Sequence, residues 1–263
     1  MKAVTKKQPT KKGPSWRLVF SVFLILLWAG ASVIVVQLIV GYIMVSVLGA
    51  EKFMEPVWMA IYSALSYILA LVSIIFIPPL ILQKKRKEKA PLKVASRTDL
   101  GLRGMPTWTD IGLAPVGFII YLLLAAGITA IFSLFPWFNV GEAQEVGFST
   151  YVVGFDRIMA FLTLVVMAPI AEEIIFRGWL YGKLRNKLSQ NTSNAVSILL
   201  ATLLVSILFG VVHMQWNVGV NVFAMSVVLC GLREITGTIY SGILVHMIKN
   251  GLAFYYLYIL GIA

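Results

Sequence analysis

The feature that most constrains this chain is a series of long apolar stretches, most of them about 18 residues or longer, set apart by short polar or basic blocks. A helix of that length crosses a hydrocarbon layer about 30 Å thick, and in lipid only helices or closed barrels satisfy every backbone polar group. The stretches lie near 18–49, 56–82, 110–135, 154–187, 194–213, 217–232, 237–250 and 251–262. They predict an all-α polytopic membrane bundle of about eight transmembrane helices, or seven if the short final stretches merge. The first is too long for the apolar core of a signal peptide and reads as a retained, tilted helix. With 59% of 263 residues hydrophobic and 13% charged, a soluble enzyme and a disordered chain are both excluded. The single cysteine, Cys230, excludes a disulfide framework and a Cys-rich zinc site.

The net charge of +11 is distributed as membrane proteins distribute it. Lys2, Lys6, Lys7, Lys11, Lys12 and Arg17 precede the first stretch, and Lys84, Lys85, Arg86, Lys87, Lys89, Lys93, Arg97 and Arg103 fill one connector. Basic blocks beside spans belong to cytoplasmic loops facing anionic lipid, so the bilayer rather than nucleic acid is the expected partner. The connectors near 51–55 and 136–150 carry Glu51, Glu55, Glu142 and Glu145 instead. This asymmetry predicts a multi-pass protein of the cell membrane with its N-terminus in the cytoplasm and, for eight spans, its C-terminus there too. Residues 1–108 form a basic tail, two helices and a basic connector, and 109–263 a six-helix core. There is no internal repeat and no Gly-rich phosphate loop.

Ionisable side chains at membrane depth are costly, and each is by default a candidate functional group. The fourth stretch holds Glu172, Glu173 and Arg177, the fifth ends at His213, and the seventh holds His246 and Asn250. At about 100° per residue, Glu173 and Arg177 share a helix face in the favourable acid-before-base order, which predicts an ion pair. Glu172 points away from Arg177, toward Phe176 and Trp179; an unpaired carboxylate there suits a general base or acid. On the fifth stretch Phe209 and His213 share a face with Ser206 and Gly210, and the glycine admits a close neighbouring helix. Counted from the 189–193 turn, Glu172 and His213 lie at nearly the same level. His246 and Asn250 share a face too, an imidazole and an amide suited to holding an oxyanion. Counted from the sixth-to-seventh connector, however, His246 is only about 9 residues deep, which conflicts with the depth of Glu172 unless helices tilt or the connector is sunk.

EEIIFR at 172–177, FGVVH at 209–213 and HMIKN at 246–250 fit EExxxR, FxxxH and HxxxN in order. Over about residues 155–262 the chain resembles the CPBP (Abi) family of intramembrane peptidases, which is related to the type II CAAX prenyl endopeptidases. The resemblance implies that Glu172 and His213 activate water for attack on a peptide bond. It further implies that Glu173 and Arg177 complete the first motif and that His246 and Asn250 stabilise the oxyanion. Type II CAAX members resemble glutamate-dependent peptidases, so no cofactor or metal is expected, although zinc held by Glu172 or Glu173 with His213 and His246 stays open.

Other chemistries fit less well. HExxH is absent, Ser241 is five residues from His246 and on a divergent face, and Asp99, Asp110 and Asp156 sit near span ends. A non-enzymatic regulatory or immunity protein using the same polar cluster for helix packing or partner binding remains the rival class. A proton-coupled transporter is the third, without the expected repeats or broken helices. Substrates compatible with a site among helices include lipidated CAAX proteins, pheromone precursors, bacteriocin leaders and membrane regulators. The Gly178–Gly182 pair fits GxxxG, a frequent match of little weight.

Overall fold

The computed structural model describes residues 16–86, 94–142, 148 and 152–261. The N-terminal basic tail, Glu145, and Lys87, Lys89 and Lys93 of the basic connector lie outside the described residues, as do the side chains of Lys84, Lys85 and Arg86. Among the described residues there is no strand. The elements are α1 (Trp16–Leu48), a short α2 (Ala50–Phe53), α3 (Pro56–Arg86), α4 (Trp108–Phe132), α5 (Gly154–Phe161), α6 (Ala168–Glu173), α7 (Gly182–Ser189), α8 (Asn194–Val211), α9 (Trp216–Thr236) and α10 (Tyr240–Phe254). Wider π-helical turns at Leu162–Met167 and Ile174–Tyr181 join α5, α6 and α7 into one 36-residue helix, Gly154–Ser189.

Seven helices among the described residues are long and apolar enough to cross a membrane. The last two sequence stretches form one of them, since α10 runs on through a π segment, Tyr255–Leu260, and stops only at Gly261 with φ 67°. Gly251 fails to divide it because one glycine weakens an apolar helix without ending it. A Cβ there would make an ordinary 3.6 Å contact with Val165, so the position packs against the first π segment as any helical residue would. Seven crossings place Trp16 and Gly261 at opposite ends of the bundle, which replaces the expectation that both termini share a side.

At the end of the bundle carrying Lys183, Arg185 and Lys187, polar groups knit the helices together. Thr107 caps α4 by accepting from the Asp110 amide, and Asp110 Oδ2 accepts from the Thr107 amide and hydroxyl at 2.9 and 2.7 Å. Asp110 Oδ1 accepts from the hydroxyls of Thr238 and Ser241. Ser241 is thereby committed to a structural bond at 3.2 Å. Glu234 on α9 accepts from Tyr181 at 2.9 Å and Arg185 at 3.1 Å, and Arg185 also donates to Ser197 and Asn194 on α8.

These ties set residues 181–185, 197, 234 and 238 at one level, which removes the depth conflict. The 36-residue helix runs past that level toward Ser189, so the 189–193 turn lies beyond it. Measured from 181–185, Glu173 is about 12–18 Å deep, and His246 about 12 Å from Thr238. The GxxxG glycines face a connector: a Cβ on Gly178 would meet the Leu100 carbonyl oxygen at 2.8 Å, and one on Gly182 the Asp99 carbonyl at 3.5 Å. The helix crossing expected at Gly210 is present, since a Cβ there would lie 2.8 Å from the Gly219 carbonyl on α9.

Candidate active site

Glu172 and Glu173 end α6, and the π segment that follows carries Arg177. Such wide turns inside helices occur often at functional sites because they shift side chains off the regular register. The Glu173–Arg177 pair nonetheless forms as its spacing predicts, with Arg177 Nη1 2.8 Å from Glu173 Oε1 and both side chains at most 1% exposed. The same oxygen accepts from His246 Nδ1 at 3.1 Å, across from α10. Gly242 makes room for this carboxylate, since a Cβ on it would stand 3.1 Å from Oε2.

The Arg177 guanidinium lies 4.4 Å from the centre of the Phe209 ring. That ring also meets Phe176 edge-on at 4.8 Å, His213 at 4.9 Å and His246 at 6.0 Å. Phe209, fully buried, is thus the hub on which the first motif's arginine and both histidines rest. A cation over an aromatic face is stabilised most where water is excluded.

Glu172 is held differently. Its side chain is 17% exposed, Oε1 accepts a 2.7 Å hydrogen bond from the Tyr67 hydroxyl, and Oε2 lies 3.8 Å from His246 Nε2. The expectation of an unpaired carboxylate is corrected here, for its partner comes from α3, outside the three motifs. The sequence did carry a signal for Tyr67: a phenol inside an apolar span needs an acceptor.

His213 follows the end of α8, where the last helical carbonyls lack partners. Its Nδ1 donates to the Phe209 carbonyl at 2.7 Å. A carbonyl only accepts, so Nδ1 carries the proton and the neutral ring offers an unprotonated Nε2. Burial holds the imidazole below its usual pKa, against the opposing pull of Glu172 and the Phe209 bond. The chain then reverses at Met214, with φ 56°, a left-handed conformation rare outside glycine. Asn250 donates from Nδ2 to the Leu164 carbonyl at 2.8 Å, in the first π segment. The His246–Asn250 pair shares a face as expected, yet each member already has a protein partner, leaving the asparagine one free amide hydrogen.

Glu172, Glu173, Arg177, His213 and His246 therefore gather around one another and the Phe209 ring, while Asn250, one turn along α10 from His246, is bonded to the Leu164 carbonyl. Among the described residues no set of three or more His, Cys, Asp or Glu side chains is arranged to hold a metal ion. Next to the cluster a cavity of about 510 Å³ lies between α4, the 138–142 loop, the start of α9, and α10.

A multi-pass bundle that gathers two glutamates and two histidines among its helices fits a membrane peptidase, and the sequence comparisons support that class. Residues 154–252 match the family described as type II CAAX prenyl endopeptidase Rce1-like. Over 226 residues, 86% of this chain and 87% of the relative, the sequence is 22% identical to the membrane-embedded CAAX protease MroQ of Staphylococcus aureus (strain USA300). No solved structure matches the chain.

Proposed function

We propose that the protein is an intramembrane endopeptidase that cuts a membrane-associated or lipidated peptide or protein with water activated by Glu172 and His213. The observation that carries this is the contrast within the glutamate pair. Both Arg177 and His246 bond to Glu173 Oε1 and that carboxylate is sealed from ligands, whereas Glu172 keeps partial exposure and an Oε2 that lies 3.8 Å from His246 Nε2. Tyr67 fixes that carboxylate through its other oxygen.

In the proposed cycle Glu172 takes a proton from water, and the hydroxide attacks the scissile carbonyl carbon. His213 orients the water by accepting a hydrogen bond from it through Nε2, which its Phe209 bond leaves available, while Glu172 takes the proton. The free amide hydrogen of Asn250, and His246 Nε2 when it carries a proton, stabilise the oxyanion. Glu172 then returns its proton to the leaving amine. Tyr67 is a positioning residue. Glu173 and Arg177 anchor His246, which makes theirs a structural part in the site. No step passes through a metal, and Glu173, bonded to Arg177 and His246, is poorly placed as a zinc ligand. We place the basic end of the bundle in the cytoplasm, as the loop charges favour.

The test is cleavage of pooled lipidated and unlipidated peptides by the detergent-purified protein and by Glu172→Gln, each with and without a strong chelator. Cleavage lost in the variant and kept with chelator is expected. Full activity of a folded Glu172→Gln protein would overturn the assignment, and loss on chelation would replace it with a zinc mechanism.

A further inference from the structure

Lys249 is the one strong charge in the site that the mechanism above leaves without a task. It sits on α10 between His246 and Asn250 and lines the cavity of about 510 Å³ as well as a smaller one of about 40 Å³ beside Asn250. It lies within electrostatic reach of Glu172 and His213. Among the described residues it makes no hydrogen bond and no ion pair. An ammonium on a membrane-spanning helix is costly, and most such groups pair with an acid or a carbonyl. A cation kept unpaired at the wall of a cavity has hydrogen-bonding capacity directed at whatever enters.

The rest of the cavity wall indicates what that is. Tyr121 donates to Asn221 Oδ1 at 2.8 Å, which fixes the amide and leaves its N–H groups as donors. Asn217 donates to the Glu142 backbone carbonyl at 2.6 Å, tying the 138–142 loop to the cavity rim. The exposed carboxylate of Glu142 stands on that rim, so the wall carries one positive and one negative group and disfavours a dianion such as phosphate. A volume of about 510 Å³ is in the range of pockets that hold small ligands, so it suits a few amino-acid residues rather than a folded chain.

We infer that Lys249 and the cavity it lines form a subsite for a carboxylate of the substrate peptide, with Asn221 donating to the adjoining backbone. This rests on the peptidase reading and deepens it by naming the chemistry that the enzyme selects. The carboxylate comes from the free C-terminus of the substrate or from an acidic side chain.

Three pools of randomised heptapeptides distinguish these: free acids without Asp or Glu, the same sequences as C-terminal amides, and amides carrying one Asp. Wild type, Lys249→Gln and Lys249→Arg are compared by cleavage rate and by the shift in thermal unfolding each pool gives, the second readout being independent of turnover. Wild type is expected to favour one anionic pool over the plain amides by about tenfold or more in both readouts. Lys249→Gln lowers that ratio to about one, chiefly through KM, while Lys249→Arg keeps it. Preference for the first pool assigns the C-terminus, and for the third a side chain. Equal treatment of all pools by wild type, or an undiminished preference in folded Lys249→Gln, overturns the subsite. Cleavage of every pool without preference would do so while leaving the peptidase intact. Ligand-dependent stabilisation without cleavage of any pool would count against the peptidase alone.

Discussion

The two ends of this bundle treat polar groups in opposite ways. At the basic end, Asp110 has four hydrogen-bonding contacts and Glu234 is held by Tyr181 and Arg185. Around Glu172, deeper in the bundle, polar groups retain capacity: one glutamate oxygen, His213 Nε2, an Asn250 amide hydrogen and the Lys249 ammonium. Both regions set charged side chains among apolar ones, so burial alone does not distinguish architecture from chemistry. Unmet bonding capacity alone does not either, since Glu173 Oε2 and Arg177 Nε and Nη2 lack hydrogen bonds but are sealed from any ligand; capacity joined to access does.

The largest effect expected from breaking this contrast is on activity. Glu172→Gln keeps size and the Tyr67 contact but removes the base, and kcat falls by about 10²–10⁴-fold with the unfolding temperature nearly unchanged, read by peptide cleavage beside a thermal scan. Next comes Arg177→Met, which strands the buried Glu173 and costs about 3–5 kcal/mol of stability. Adding Glu173→Met should recover much of that loss in denaturant unfolding without restoring full activity, since His246 then lacks its anchor.

Tyr67→Phe removes a hydrogen bond to a charged group worth about 1.5–3 kcal/mol. It is expected to lower stability by up to that amount, leaving the protein folded, and kcat/KM by about 10–100-fold. Asp110→Ala, at the fully bonded end, is expected to cost about 1–3 kcal/mol of stability while activity per folded molecule is unchanged. If it instead lowered turnover, the division between the two ends would fail.

The smallest effect is in pH. Because burial lowers the His213 pKa, its neutral form prevails down to and below about pH 6.5, so the acid limb of kcat/KM should fall beneath that value. The unfolded chain takes up that proton first as pH drops, so this residue's share of stability declines on acidification through about 6.5. Circular dichroism and rate profiles over the same pH range check both.

Much of this was legible in the sequence. Length of apolar stretches predicts the helices, and helical spacing predicts the Glu173–Arg177 pair and the glycine crossing at Gly210. Two things were not. The merging of the last two stretches was not legible because a single glycine between two apolar runs reads equally as a break or as a helical position. Tyr67 lies 105 residues from Glu172 and on a span with no motif, so its phenol signals the need for an acceptor but not which one it meets when two helices pack. The angular reading of Glu172 was limited as well, because π turns alter the 100° step on which it relied.

The Tyr67 bond has a consequence for how the protein comes into being. The motif-bearing half and the α1–α3 hairpin are laid into the bilayer as separate stretches of chain, the hairpin first. Until the two halves meet, Glu172 lacks the hydroxyl that holds it in place. On the proposed mechanism, a nascent or wrongly assembled copy would carry all three motifs without a held base, so activity would appear only once α3 has packed against the motif-bearing helix.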